Sequence, residues 1–186
     1  MPGKAKILTS QEIKDVFKLL QTPRNRALFA IGLYTGLRIS EILALEQDQL
    51  FTTDGGIRYK LIVKRLKKKN SVYSDIPLHP KLREVLKEYK AVLTPGHWLF
   101  PSNRDCLRTL TRVQAHNVLS AAFTRLKQDG AKTHSMRRTF LTCLSRAGVP
   151  LRTIQEMSGH SSLGQLQEYL DVDPEDKHKA IGLLRY

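Results

Sequence analysis

The sequence has little that could cross-link it or hold it in a lipid bilayer. Its 186 residues include only two cysteines, Cys106 and Cys143. Two thiols cannot build a disulfide framework, and no Cys/His group has zinc-finger spacing. The longest apolar run, near residues 27–33, falls far short of the ~20 residues that a membrane-spanning helix needs. No charged-apolar-small leader pattern opens the chain. An intracellular, cytoplasmic protein with free thiols and no membrane contact is expected. Aromatic residues make up 7%, with a single tryptophan, Trp98. Acidic side chains are also scarce, 17 against 31 Lys and Arg. No carboxylate cluster suited to a metal stands out, and no cofactor or metal is expected.

What the chain does have is positive charge, a net +14 with a pI near 10.0. The excess is concentrated. Residues 58–90 carry 11 basic and 3 acidic side chains, and residues 104–152 carry 10 and 2. Residues 1–57 are nearly balanced, and residues 153–186 are net acidic. A basic middle of this kind is suited to a polyanion, with nucleic acid the first choice. An acidic membrane surface is the weaker alternative, because no basic amphipathic helix with a bulky aromatic face appears. A length of 186 residues and 41% hydrophobic content allow one domain with a real core.

The pattern reads as mainly α with one small antiparallel β-hairpin, an α+β chain. Thr9 and Glu12 form a capping box ahead of a helix over 9–20, with Ile13, Val16, Phe17 and Leu20 as its stripe. Pro23 suits the first turn of a second helix, apolar on most sides and ended by Thr35-Gly36. Arg38 then stands at the mouth of a third helix anchored by Ile39, Ile42 and Leu43. Residues 57–63 alternate, with Tyr59, Leu61 and Val63 on one face, and residues 72–78 form the partner strand. The tip between them holds Lys64, Arg65, Lys67, Lys68 and Lys69, which suits a finger laid along a nucleic-acid backbone. Helices follow over 81–90 and 111–127, the latter with Val113, Val118, Leu119, Ala122, Phe123 and Leu126 inward. Trp98 and Phe100 read as core, and Asn103 to Leu110 as a basic loop.

Residues 133–170 organise the rest. Two helices are expected there, broken at Gly148-Val149-Pro150. His134 and Arg137 are three apart, on one helical face, so they can address one bound group. His160 follows Gly159, and Tyr169 lies nine residues beyond. Two imidazoles, a guanidinium and a phenol suggest a phosphate site with a tyrosine nucleophile. Arg38 has either Glu41 or an anionic ligand as its partner.

Taken as an ordered set, Thr-Gly-Leu-Arg-Ile-Ser-Glu around Arg38, the lysine-tipped hairpin, His134-x-x-Arg137, Gly159-His160 and Tyr169 resemble the catalytic domain of the tyrosine recombinase (phage integrase) family. The likeness runs from about residue 8 to about residue 170. It implies that Arg38 and Arg137 grip the scissile phosphate, that His134 and His160 assist, and that Tyr169 attacks. It implies a hairpin lysine as the acid for the leaving oxygen: counting eight residues back from the closing Pro77 gives Lys69, with Lys67 and Lys68 as the alternatives. Glu41 matches an acidic position that buttresses the site. Lys64, Arg65, Lys67, Lys68, Arg104, Arg108, Arg112 and Arg138 are the expected further contacts to DNA.

The implied function is a site-specific DNA recombinase or integrase working through a covalent 3′-phosphotyrosyl intermediate, without metal or ATP. The alternatives are a type IB topoisomerase-like DNA relaxation activity and a non-catalytic DNA-binding module. Double-stranded DNA is the expected partner. Residues 1–186 are read as one catalytic domain, with a core at about 8–170. The tail, 171–186, would dock in cis or onto a second copy. The N-terminal DNA-binding domain usual in the family is expected to be absent, since the catalytic likeness starts almost at Met1.

Overall fold

The structure is a computed structural model that describes residues 4–66, 71–169 and 181–182. Eight α-helices and one two-stranded sheet are described. They run α1 (Ser10–Leu19), α2 (Pro23–Thr35), α3 (Ile39–Leu43), β1 (Lys60–Leu66), β2 (Ser71–Pro77), α4 (Pro80–Lys90), α5 (Arg112–Arg125), α6 (Thr133–Arg146), α7 (Leu151–Ser158) and α8 (Leu163–Gln167). Among the described residues, no helix is long and apolar enough to cross a membrane.

Local sequence sets most helix starts. Thr9 and Glu12 close a reciprocal capping box on α1, and Thr111 does the same with Gln114 on α5. Thr22 accepts from the Asn25 N–H ahead of Pro23, and α2 stops at Gly36 in the left-handed region. β1 and β2 pair antiparallel from Lys60↔Pro77 to Leu66↔Ser71. Leu61, Val63 and Ile76 turn one face of the hairpin into the core.

α2 is the central strut, with Ala27 through Leu33 buried without interruption. α4 and α6 pack along it, α5 also touches it, and α1 packs against α5. A second, smaller cluster lies between α6, α7 and α8. It is made of Phe140, Leu141, Ile154 and Leu166, with Tyr169 packed against it. Helix α6 therefore touches both clusters, one on each side.

The structure departs from the sequence expectation in four places. Val113 is exposed rather than core, on the outer face of α5 with His116 and Asn117, while Ala115 and Leu119 face inward. Tyr59 lies before β1 and is exposed, with the Arg83 guanidinium 4.3 Å from its ring centre. Trp98 is half-buried, its Nε1–H donating to the Leu107 carbonyl at 2.9 Å. A third helix, α8, follows α7 where two helices were expected.

Candidate active site

Arg137 is at the centre of the site. It lies one turn into α6, and only 1% of it is exposed. Burying a guanidinium costs several kcal/mol of hydration, on the order of what unmet N–H donors lose, unless its N–H groups find acceptors. Nη1 donates to the Gly36 carbonyl at 2.6 Å. Nη2 donates to the Ser158 carbonyl at 2.9 Å and lies 3.1 Å from His160 Nε2. The end of α2, α6 and the end of α7 are thus tied to one side chain.

His160 reaches Arg137 because Gly159 reverses the chain at the end of α7, with φ of 69°. A residue with a Cβ resists that conformation. His160 is buried, its Nδ1 lies 2.7 Å from Ser158 Oγ, and its own carbonyl accepts from Gln155 Nε2 at 3.2 Å.

Tyr169 follows α8, and its backbone N–H donates to the Leu166 carbonyl. Its ring centre lies 5.1 Å from that of His160. Leu166 is fully buried and anchors the five-residue helix that carries it. A helix this short has no stability of its own. The phenol is therefore placed by packing, in this same chain.

Arg38 caps α3. Its N–H donates to Glu41 Oε2 at 2.7 Å, and its Nη1 lies 3.5 Å from Glu41 Oε1. Glu41 thus holds both the backbone and the side chain of Arg38. His134, in the first turn of α6, has its pKa pushed down from the usual histidine value. Burial is the main cause, followed by the positive charges of Arg137, Arg38, Arg112 and Lys132. Burial and cations from distant parts of the chain thus act together on one imidazole and favour its neutral form. Arginine cations beside a neutral imidazole and a phenol can bind a phosphodiester, accept a proton and supply a nucleophile.

A cleft of about 510 Å³ opens onto His160 between β2 and α7, lined by Tyr73, Asp75, Arg152 and Gln155 among others. A larger, more apolar groove of about 900 Å³ runs between α1, α2, α4 and α6, lined in part by Phe17, Leu33, Tyr34, Val85 and Phe140. It holds none of the site residues.

A sequence model described as "Phage integrase family" matches residues 6–176. The chain belongs to the phage integrase family. It is 34% identical over 154 residues to a protein named tyrosine recombinase XerC from Brucella melitensis, covering 81% of this chain and 47% of that one. The XerA recombinase crystal structure superposes with a TM-score of 0.80 at 21% identity, covering all of this chain and 68% of that one. The XerH recombinase bound to its difH substrate gives 0.73 at 23% identity, covering 95% and 54%. The chain spans about half the length of the curated relatives it matches.

Within this phage integrase fold, His160 touches both Arg137 and Tyr169, and Arg137 and Arg38 both act on His134. Lys67, Lys68 and Lys69 lie outside the described residues, as does most of the 171–186 tail. The backbone of Lys64 and Arg65 is in β1. Arg104 and Arg108 are exposed in a loop, where Arg108 pairs with Asp105 at 3.3 Å. Arg112 is exposed at the start of α5 and acts on His134.

Arg138 differs from its expected place on a DNA-facing surface. It is 92% buried, and its Nη1 donates to the Ala5 carbonyl at 2.5 Å. One residue along a helix is a rotation of about 100°, so Arg137 and Arg138 point to different sides of α6. Three participants were not singled out from sequence. Lys132 adds to the field at His134, and Gly36 and Ser158 supply the carbonyls that hold Arg137. A backbone acceptor has no residue-type signature, so only the fold reveals it.

Proposed function

We propose that this chain is the catalytic part of a site-specific DNA recombinase that cuts and rejoins duplex DNA through a covalent 3′-phosphotyrosyl intermediate. The observation that carries the reading is the contact chain Tyr169–His160–Arg137–Gly36, in which His160 lies between the Tyr169 ring and a buried guanidinium bonded to the carbonyl two residues before Arg38. The names of its relatives, recombinases that include one solved on its DNA substrate, support it.

In this reading Arg38 and Arg137 bind the non-bridging oxygens of the scissile phosphate. Charge grows on those oxygens in the transition state, and each preorganised donor contributes ~10²–10³ in rate. The Tyr169 oxygen attacks phosphorus as neutral His134 takes its proton. The bond from phosphorus to the 5′ oxygen breaks, and Lys69 protonates that oxygen as it leaves. Energy is kept in the new ester, so another 5′-hydroxyl can reverse the step without ATP. The cations supply the charge stabilisation, so the step needs no metal. Two copies engage each other on DNA through residues 171–186.

The test is a suicide duplex, nicked near the cleavage site so that religation fails. Wild-type protein accumulates a covalent adduct. Tyr169→Phe binds the same DNA and forms none. An adduct with the phenylalanine variant overturns the assignment of the nucleophile. Two-site recombination measured beside plasmid relaxation separates strand exchange from simple relaxation.

A further inference from the structure

A bare tyrosine stands on the hairpin beside the site. Leu61, Val63 and Ile76 turn one face of β1 and β2 into the core. Side chains alternate along a strand, so Tyr73 and Asp75 lie on the opposite face from Ile76. Tyr73 is 65% exposed. Among the described residues no hydrogen bond, ion pair or ring contact holds it. Tyr59, also exposed, has the Arg83 guanidinium against its ring. A ring left in water without a partner adds nothing to the fold. Tyr73 lines the cleft of about 510 Å³ that opens onto His160 between β2 and α7.

The charges along this cleft are paired. Asp75 lies 3.4 Å from Lys60 Nζ, and Glu156 accepts from Arg152 Nε at 3.1 Å. Two carboxylates on its walls make the cleft a poor place for a phosphate. An aromatic face beside paired charges suits a neutral, planar group with hydrogen-bonding edges, which in DNA is a base. Its position points to one side of the cut. In-line displacement sets the leaving oxygen opposite the attacking one. Tyr169 packs on His160 from the cluster between α6, α7 and α8 and does not line this cleft. β2 is also the strand that returns from the lysine tip, with Tyr73 four residues after Lys69.

We propose that this cleft is the subsite for the base of the nucleotide whose 5′ oxygen leaves, with the Tyr73 ring as its stacking platform. The proposal rests on the reading of the chain as a DNA strand transferase. Once the strand is cut, that base loses its stacking neighbour on one side, and the tyrosine ring takes that place. Stacking accepts any base, so Tyr73 sets the grip on the free end and not a sequence preference. The grip matters for rejoining. There the 5′ oxygen attacks phosphorus, the bond from phosphorus to the Tyr169 oxygen breaks, and the phenol regains its proton. Tyr73 keeps the attacking end within reach of the ester.

The experiment forms the covalent adduct on the nicked duplex, then adds strands ending in a 5′-hydroxyl over a range of concentrations. Tyr73→Ala needs about tenfold more strand for half-maximal rejoining, while its rate at saturation and its urea midpoint match wild type. Tyr73→Phe keeps the ring and rejoins as wild type does. A strand whose first nucleotide lacks its base lowers wild type to the level of Tyr73→Ala and costs the alanine variant little more. Wild-type rejoining by Tyr73→Ala overturns the proposal. So does a Tyr73→Phe protein as impaired as the alanine variant, or losses from the abasic strand and from alanine that multiply. A lowered urea midpoint in Tyr73→Ala overturns it too, because the ring would then belong to the fold. Absence of any adduct with wild-type protein defeats the proposed function and the subsite together. An adduct that rejoins without regard to Tyr73 defeats the subsite alone.

Discussion

The Arg137 guanidinium donates to the Gly36 carbonyl at 2.6 Å, across 101 residues of sequence. Gly36 ends α2, and Arg38 follows two residues later at the start of α3. One hydrogen bond thus sets the spacing between the two arginines of the site. Gly36 itself is held at φ of 64°, and a Cβ there would run into the Phe140 ring.

Gly36→Ala is therefore expected to damage stability and catalysis together. Left-handed backbone costs roughly 1 kcal/mol for an alanine, and a forced shift of a packed ring costs about 1–3 more. Urea denaturation should show a loss of about 2–4 kcal/mol on those grounds. Adduct formation should fall even under conditions where the variant remains folded. An unchanged denaturation midpoint would refute this account of the turn.

Arg137→Lys tests whether geometry or charge matters at the centre. Lysine keeps the charge but carries its donors on one nitrogen. It cannot reach the Gly36 carbonyl, the Ser158 carbonyl and His160 Nε2 at once, as the two terminal nitrogens of Arg137 do. Leaving a buried carbonyl unmet costs about 1–3 kcal/mol. The expected result is lower stability by that amount and cleavage slower by ~10²-fold or more. Near-wild-type cleavage by the lysine variant would mean that charge alone suffices.

His134 gives a prediction in pH. Its folded pKa is lowered, by burial first and by Arg137, Arg38, Arg112 and Lys132 after that. The unfolded chain, with an ordinary histidine pKa near ~6.5, then binds more protons as pH falls below that value. Stability from this group is complete above about pH 6.5 and declines as pH drops toward the lowered value. Cleavage that uses His134 as base should be flat above this window and fall within it. An NMR titration of His134 should show a midpoint under the ordinary value. Arg112→Ala should move it part of the way back, since burial remains. A midpoint at or above the ordinary value would rule out the neutral base.

Much of the fold was readable because its signals are local. Thr9, Thr22 and Thr111 mark helix starts by chemistry confined to three or four residues. The same holds for Gly148-Val149-Pro150 between α6 and α7. The candidate site was legible through residue type and order, since His134 and Arg137 share a helical face wherever that helix goes. What failed depended on tertiary surroundings. Val113 and Tyr59 fit an apolar stripe, yet both are exposed, Tyr59 beside the Arg83 guanidinium rather than in the core. Arg138 looked like a surface cation until the segment around Ala5 packed over it. Ser158 was invisible because a serine two residues before a histidine signals nothing until α7 ends and the chain turns back.

The placement of Tyr169 depends on Leu166. Helix α8 has only five residues, and its one buried side chain is Leu166, seated against Leu141 and Ile154. Truncating a buried leucine costs about 2–5 kcal/mol. Here that loss falls on the docking of α8 rather than on the whole domain, because the main core lies on the other side of α6. Leu166→Ala should therefore leave the urea midpoint close to wild type while loosening the segment that carries the proposed nucleophile. Each ~1.4 kcal/mol of lost docking beyond the marginal point lowers the fraction of poised tyrosine about tenfold. Cleavage should drop by about that factor or more, while binding to intact duplex changes little, since Arg38 and Arg137 are held by other elements. Hydrogen exchange at residues 163–169 should speed up in the same variant. Equal losses in binding and cleavage would show that α8 is part of the DNA-binding frame instead.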